Sequence, residues 1–403
     1  MKPFAERSLL FLLAAIQFTH ITDFMIMMPL GPQLMRDLDI GPAQFGALVS
    51  AYTISAGLVG LATAPFMDRF DRRVLLLWTY AGFVLGTVAC GLSHHFATLL
   101  ASRAVCGAFG GISGALVMAI VSDVVPPARR ATGMGIVMTA FAVAAALGVP
   151  FGLFLAQRYE WEAPFFFLAV AAGLIWLLVL AGMPPVRGHL EHTGVSVLRE
   201  FVSLLRNSNV GRALLFMASM VFGHFAVIPL LSPYLVTNVG LREKDLLLVY
   251  FCGGVATVFT APIVGRLADR HGRHRVFTCL VAVACLVTLA LTHAGRMPLW
   301  RVLTLTVLFF IFASGRFGPG QAIMSLAVRP RQRGAFMSLS ACTRDLTSGI
   351  TTAVGGWIVS PTPTGELLHY NWLGWMAVAA SLLSLWLARR VQPSETAPVL
   401  ALA

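Results

Sequence analysis

Apolar runs of roughly twenty residues alternate along this chain with short, arginine-rich breaks. A helix rises about 1.5 Å per residue, so such a run crosses the roughly 30 Å of a hydrocarbon core. Twelve spanning helices are predicted, near 9–35, 43–66, 74–92, 97–123, 132–156, 163–183, 213–237, 245–267, 276–294, 302–328, 336–360 and 371–389. Asp23 interrupts the first run, which is too long for a signal-peptide core and is followed by no small-residue cleavage site. It is therefore read as a spanning helix.

The breaks carry the topology. Of the 29 Lys and Arg residues, twenty fall in the breaks on the side of the N-terminus, and six (Arg36, Arg158, Arg242, Lys244, Arg296, Arg301) fall on the other. Positive loops stay inside, so both termini are expected in the cytoplasm of a cell whose inner (plasma) membrane holds the chain, a bacterial setting being expected. The longest connection, 184–211, divides the chain into an N-terminal bundle (1–186), a linker (187–211), a C-terminal bundle (212–391) and a tail (392–403). Within the linker, Val195, Leu198, Phe201, Val202 and Leu205 share a face, the pattern of an interfacial amphipathic helix. The tail from Gln392 is expected to be disordered.

The two halves repeat. Gly265-Arg-Leu-Ala-Asp269-Arg270-His-Gly272-Arg273 follows the eighth run, and Ala64-Pro-Phe-Met-Asp68-Arg69-Phe-Asp71-Arg72-Arg73 follows the second. Their aspartates lie 201 positions apart in a 403-residue chain. Pro32 and Pro233 share that offset, as do Asp23 and His224, and Arg129-Arg130-Ala-Thr-Gly133 answers Arg331-Gln-Arg333-Gly334. A duplicated six-helix unit follows. The expected fold is an all-α membrane protein of two pseudo-symmetric six-helix bundles.

Composition agrees: 58% hydrophobic and 11% charged, with a mean hydropathy of +0.81, against roughly 25% charge in soluble domains. The net charge of +12 resides in loops between spans, which argues for topology and against nucleic-acid binding. Cys90, Cys106, Cys252, Cys279, Cys285 and Cys342 lie in or beside apolar runs with no CxxC pair. They read as packing residues, without a disulfide framework or metal site. Phosphate-binding loop, GxSxG and HExxH patterns are lacking, so neither an enzyme nor an ATP-driven pump is expected. The external pair His94-His95 reads as solvated.

Twelve spans as six plus six, with this loop after the second and eighth, resemble the major facilitator superfamily. The family's loop pattern is Gly-x-x-x-Asp-Arg-x-Gly-Arg-Arg; the C-terminal copy matches at Gly265, Asp269, Arg270, Gly272 and Arg273. The N-terminal copy keeps Asp68, Arg69, Arg72 and Arg73 but has Ala64 and Asp71 where the pattern has glycine. The resemblance implies that these loops latch the halves together on the cytoplasmic side. Asp123, at the cytoplasmic end of the fourth span, is a candidate partner for Arg72 or Arg69. Because the N-terminal copy sits beside Asp123, Arg103 and Asp23, substitution of Asp68 is expected to stall the cycle more than substitution of Asp269.

Charges inside spans cost about 2.5–3.5 kcal/mol each on insertion scales, so Asp23, Arg103, Arg316, Arg344 and Asp345, with His20 and His224, are functional candidates. Arg103, in Arg-Ala-Val-Cys-Gly107, is similar to a family element associated with proton coupling, and Asp23 is the buried acid of its half; the two form the expected proton-coupling pair. An Arg316–Asp345 pair is expected from their similar depths, with Arg344 serving the cavity and a deep arginine suited to an anionic substrate. Phe18, Phe24, Met25, Phe141, Phe225, Tyr250 and Phe312 are candidates for its wall, but Tyr52 and Tyr234 are preferred, with His224 beside them. Gly133-Met-Gly135 and Gly148-Val-Pro150-Phe-Gly152 form a packing element in the fifth span, similar to that of arabinose- and drug-efflux members.

The expected function is efflux of small amphiphilic drugs or sugar-like metabolites in exchange for protons, by a monomer that needs no cofactor beyond the proton gradient. A symporter or spinster-like lysolipid transporter is the same-fold alternative, although Gly107-Ala-Phe-Gly-Gly111 lacks the buried glutamate of the spinster pattern. A non-transporting sensor would need an output domain, and none follows the spans.

Overall fold

The computed structural model describes residues 6–67, 69–126, 129–187, 203–329 and 332–394. Among these, eleven helices are long and apolar enough to cross a membrane. In chain order, with one more polar helix in eleventh place, the spans are α1 (Glu6–Ile26), α2 (Pro42–Met67), α3 (Arg72–Gly91), α4 (Phe96–Val124), α5 (Thr132–Arg158), α6 (Ala163–Gly182), α7 (Ser208–Thr237), α8 (Glu243–His271), α9 (Arg273–Thr292), α10 (Leu299–Met324), α11 (Arg333–Ile358) and α12 (Tyr370–Ala388). Every predicted run holds one of them. The fold is all-α apart from a two-residue hairpin pairing, Ser360–Pro361 with Leu367–Leu368, between α11 and α12.

Four departures from ideal helix have local causes. The run at 9–35 is not one helix: α1 ends at Ile26, a turn follows, and a short helix resumes at Gly31–Asp37. Pro29 and Pro32 remove two backbone donors at that point. Its repeat in α7 breaks the same way, with a 3-10 turn at Ile228–Leu230 around Pro229. Within α5, a π-turn at Ala144–Gly148 ends two residues before Pro150, widening the helix where the proline ring would meet the carbonyl of residue 146. A second π-turn, Phe310–Ser314, stands just before Arg316 in α10.

The halves meet through equivalent surfaces. α2 lies along α11 with almost no side chain between them: a Cβ on Gly46 would stand 3.0 Å from the Thr352 carbonyl oxygen, one on Gly356 2.7 Å from that of Pro42, and one on Gly57 2.7 Å from Leu346. The π-turn of α5 meets α8 as closely, a Cβ on Gly254 falling 2.3 Å from the Ala145 oxygen. Repeat-related elements also touch at the axis, Gly31 against Pro233 and Phe24 against Phe225 at 6.0 Å between ring centroids. At the end of the molecule away from the termini, Arg36 bridges to Glu243 and Gln157 Nε2 donates to the Glu243 carbonyl at 2.8 Å. That end is closed.

The linker helix expected over Val195–Leu205 lies for the most part outside the described residues. The start of the tail contradicts the expectation of disorder: Asn209 on α7 exchanges two hydrogen bonds with the Gln392 backbone (2.8 and 2.9 Å), and the Ser394 amide donates to the Leu326 oxygen at 2.8 Å. Asn209 thus ties together the ends of α7 and α12, and the Ser394 contact adds the end of α10.

Both side chains of the Arg36–Glu243 pair are over a third exposed, so it contributes about 0–1 kcal/mol. Glu243→Ala is expected to raise alkylation of Leu246→Cys, buried behind that closure, by no more than about fivefold in a background without the native cysteines. A larger rise would mean the pair is the main lock; no change would mean closure rests on the glycine contacts alone.

Candidate functional site

Asp23 and Arg103 meet inside the N-terminal bundle. Arg103 Nη1 donates to Asp23 Oδ2 at 2.6 Å, and neither side chain is exposed. The same nitrogen lies 3.4 Å from the Asp23 carbonyl oxygen, and Thr87 Oγ1 of α3 lies 3.5 Å from Asp23 Oδ1. The Arg103 guanidinium carbon stands 4.6 Å from the centroid of the Tyr52 ring, a cation–π distance. Arg103 Nε and Nη2 have no hydrogen-bond partner among the described residues. Two thiols close the compartment, Cys90 and Cys106 with sulfurs 3.9 Å apart.

Glycines make this geometry possible. Gly107, one turn beyond Arg103, lets α4 touch the α2 backbone: a Cβ there would fall 2.0 Å from the Tyr52 carbonyl oxygen. Gly110 leaves room for the Tyr52 hydroxyl, 2.6 Å from where its Cβ would be. On the other side of α1, Gly148 and Gly152 of α5 press on Thr22 and Ile26, their would-be Cβ atoms 2.6 and 2.7 Å away. The predicted Gly148-Val-Pro150-Phe-Gly152 element therefore backs the helix that carries Asp23.

From Tyr52 a file of aromatic rings crosses to the other half. Tyr52 stacks on Phe24 (5.6 Å), Phe24 meets Phe225 (6.0 Å), and Phe225 meets the His224 ring edge-on at 5.5 Å. His224 lies parallel to Phe309 at 6.0 Å. On sequence alone Tyr52 and Tyr234 are preferred to Phe24 and Phe225, although the offset of 201 marks the two phenylalanines as images of each other. Images meet only at the axis relating the halves, and that signal was present in the sequence.

The expected Arg316–Asp345 pair does not form. Arg316, fully buried, donates to Ser381 Oγ at 2.6 Å and to the Met220 oxygen at 3.2 Å, filling the space that Gly223 leaves. Asp345 instead accepts from its neighbour Arg344 at 3.0 Å, and Arg344 is half exposed. Equal depth along two helices does not bring side chains together when one points into its own bundle. Tyr234 is likewise committed: its hydroxyl donates to the Ala294 oxygen at 2.6 Å and its ring stacks on Tyr370 at 4.0 Å. Of the predicted cavity residues, Tyr52, Arg344 and Asp345 lie along the α2–α11 contact, whereas His224, Tyr234 and Arg316 lie inside the C-terminal bundle.

The two loop copies differ. Arg72 Nε donates to Asp123 Oδ2 at 3.1 Å, Nη1 reaches the Met67 oxygen at 3.3 Å, and Arg73 Nη2 reaches the Leu180 oxygen at 2.8 Å. Arg69 lies over the Phe66 ring at 5.5 Å. Asp68 lies outside the described residues. In the C-terminal copy Arg273 makes one long contact, 3.5 Å to the Ala322 oxygen. Asp269 and Arg270 are exposed, Gly265 has open space around it, and Asp269 joins no ion pair among the described residues. Gly272 turns the chain at φ +88°, a region that favours glycine.

Its counterpart Asp71 has φ −57° and caps α3, accepting from the Arg73 amide at 2.9 Å. It also accepts from the Val186 amide (3.2 Å) and Arg187 Nε (2.7 Å), while the Arg72 amide donates back to the Val186 oxygen. The departure from the family pattern thus fastens the start of the linker to the N-terminal bundle. Partial burial would raise the Asp71 carboxyl, but the bonds from Arg187, Val186 and Arg73 outweigh it and hold it below the usual carboxylate range.

Fold and site together define a membrane carrier built from two like halves, one of which encloses a buried charge pair. The sequence profile of the Major Facilitator Superfamily matches residues 13–259 and 213–401, and the chain belongs to that family. Its members are transporters, not enzymes, and work without cofactors. Among relatives, the uncharacterized MFS-type transporter YceJ of Bacillus subtilis is 27% identical over 88% of this chain and 90% of its own length. A probable sugar efflux transporter of Helicobacter pylori is 25% identical over 69% of this chain and 70% of its own. A D-xylose–proton symporter superposes with a TM-score of 0.78 at 14% identity, over 96% of this chain and 98% of that one, a likeness of fold alone.

Gly107→Ala must displace the Tyr52 backbone. It is expected to lower stability by about 1–3 kcal/mol, seen as a lower melting temperature in detergent; an unchanged melt would mean α2 and α4 separate freely. For Asp71 the sign is that of a depressed acid: its contribution is present above the unfolded carboxylate value, about 4, and is lost as pH falls through the lower folded value. Asp71→Gly should therefore speed tryptic cleavage after Arg187 at neutral pH, and acid should remove the difference between variant and wild type in a pH-tolerant protease assay.

Proposed function

We propose that this chain is a proton-coupled exporter of small sugar-like or amphiphilic molecules, with its basic end in the cytoplasm. The carrying observation is the Asp23–Arg103 pair, fully enclosed and linked through Tyr52 and Phe24 to Phe225 of the other half. Asp23 is the proton carrier. While it is ionised, the pair compensates both charges. A proton on Asp23 cancels the attraction and leaves Arg103 buried without an anion, a change on the order of 3–5 kcal/mol. Arg103 then rearranges, and the Tyr52 ring beneath it transmits the shift to the aromatic file. Substrate contacts fall to Tyr52 and the Arg344–Asp345 pair beside it. The loop residues Arg69, Arg72, Arg73 and Asp123 steady the cytoplasmic ends of the N-terminal bundle, and Gly265, Asp269, Arg270, Gly272 and Arg273 engage when that side closes. The name of the Helicobacter pylori relative supports sugar efflux.

The test is transport in proteoliposomes under an imposed pH gradient, with L-arabinose and ethidium as probes. The wild type should move one of them against its gradient, and Asp23→Asn should abolish gradient-driven movement by about two orders of magnitude or more while leaving equilibrium exchange of the same probe. Wild-type coupling in Asp23→Asn would remove Asp23 from the mechanism.

A further inference from the structure

Asp23 is sealed on all sides, so any proton it exchanges must pass through a neighbouring group. We propose that His20 is that group, relaying protons between Asp23 and the space between the halves past Gln17; this rests on Asp23 being the proton carrier. His20 is 5% exposed, and among the described residues both its ring nitrogens lack hydrogen-bond partners, as does Gln17 Oε1. A buried imidazole with neither nitrogen engaged is costly for packing alone. Gln17, His20 and Asp23 stand at i, i+3 and i+6 on α1, so successive side chains are neighbours on a row rising about 4.5 Å per step. Gln17 is half buried and lies two turns below Phe24 on the same face, the face that meets Tyr52 and Phe225 at the axis. Gly114 of α4 opposes it without a side chain, its would-be Cβ 3.7 Å from Gln17 Oε1. The row therefore runs from the half-buried Gln17 to the sealed carboxylate.

Surroundings confine the ring. Phe83 and Tyr80 of α3 stand edge-on to it at 4.2 and 5.4 Å, and the Tyr80 hydroxyl is engaged with Thr19 at 2.9 Å. Tyr80 is the titratable group in ring contact with His20; Arg103 of α4 pairs with Asp23 instead, Tyr52 of α2 lies against Arg103, and Cys106 of α4 meets Thr87. Neither α5 nor α6 brings a titratable group to this level, Arg158 standing at the far end of α5. In the relay, the His20 side chain, whose nitrogens touch no partner among the described residues, turns about its χ angles: it takes a proton arriving past Gln17 on one ring nitrogen, brings the other within hydrogen-bond reach of Asp23 to give its proton to the carboxylate, and resets by exchanging its N–H site. Release runs in reverse.

The experiment needs no substrate. Infrared difference spectra of the purified protein after a pH jump follow the carboxylic C=O band, assigned to Asp23 by its absence in Asp23→Asn. His20→Phe, which keeps a ring in the same space, should slow the rise of that band by at least about tenfold with the same end point. Gln17→Leu should slow it less, and His20→Gln, which keeps polar atoms at the site, should fall between His20→Phe and the wild type. A wild-type rate in folded His20→Phe, checked by its melting temperature, overturns the relay and leaves the proton-carrier assignment standing. If His20→Phe fails to fold, the His20→Gln rate decides in its place. No titrating band in the wild type overturns both.

Discussion

The cost of charge in hydrocarbon governs this structure. A carboxylate and a guanidinium in the N-terminal bundle are tolerated because they meet at 2.6 Å with a tyrosine face under the cation, and meeting at that distance sets demands on four helices. Gly107 and Gly110 bring α4 against α2 so that Tyr52 reaches Arg103, and Gly148 and Gly152 bring α5 against α1 behind Asp23. The small residues serve the pair, because a bulkier side chain at any of them would separate the helices that hold it. The C-terminal bundle meets the same constraint differently. Arg316 takes a hydroxyl and a carbonyl as partners, so its charge is spread over neutral oxygens rather than cancelled.

Much of this was legible in the sequence. The twelve runs, the repeat and the paired loops needed only hydropathy, proline and arginine spacing, and each run holds a helix, although the first and the seventh break at their prolines. Asp23 and Arg103 were found because so few charges interrupt the spans. Their pairing rested on a resemblance, since nothing in either helix alone says which face they share. Arg316 and Asp345 show the limit: depth can be counted along a chain, but azimuth depends on how α10 and α11 turn within the bundle. The role of Asp71 was hidden for a related reason, since its partners Val186 and Arg187 lie more than a hundred residues away. The cross-half pair Arg36 and Glu243 also left no pattern, one being among six arginines and lysines on that side and the other an ordinary loop acid.

Duplication set the architecture, and divergence since then has given the halves different work. The N-terminal copy holds an acid at position 23, a paired arginine loop and a capped linker; the C-terminal copy holds His224, a sparsely bonded loop and a glycine turn at the matching points. The enclosed ion pair belongs to one bundle; the other buries Arg316 against neutral oxygens and keeps its Arg344–Asp345 pair partly exposed.

The contact between Phe24 and Phe225 has a mechanical meaning. Two bodies that rock against each other displace atoms in proportion to their distance from the pivot, and a ring pair partway along α1 and α7, on the line relating the halves, sits where that travel is smallest. It can serve as a fulcrum. Residues near the membrane surfaces, such as those around Glu243, then sweep the longest arcs. A rearrangement of a few tenths of an ångström delivered to the fulcrum by Tyr52 would be magnified at the ends by the length of the helices.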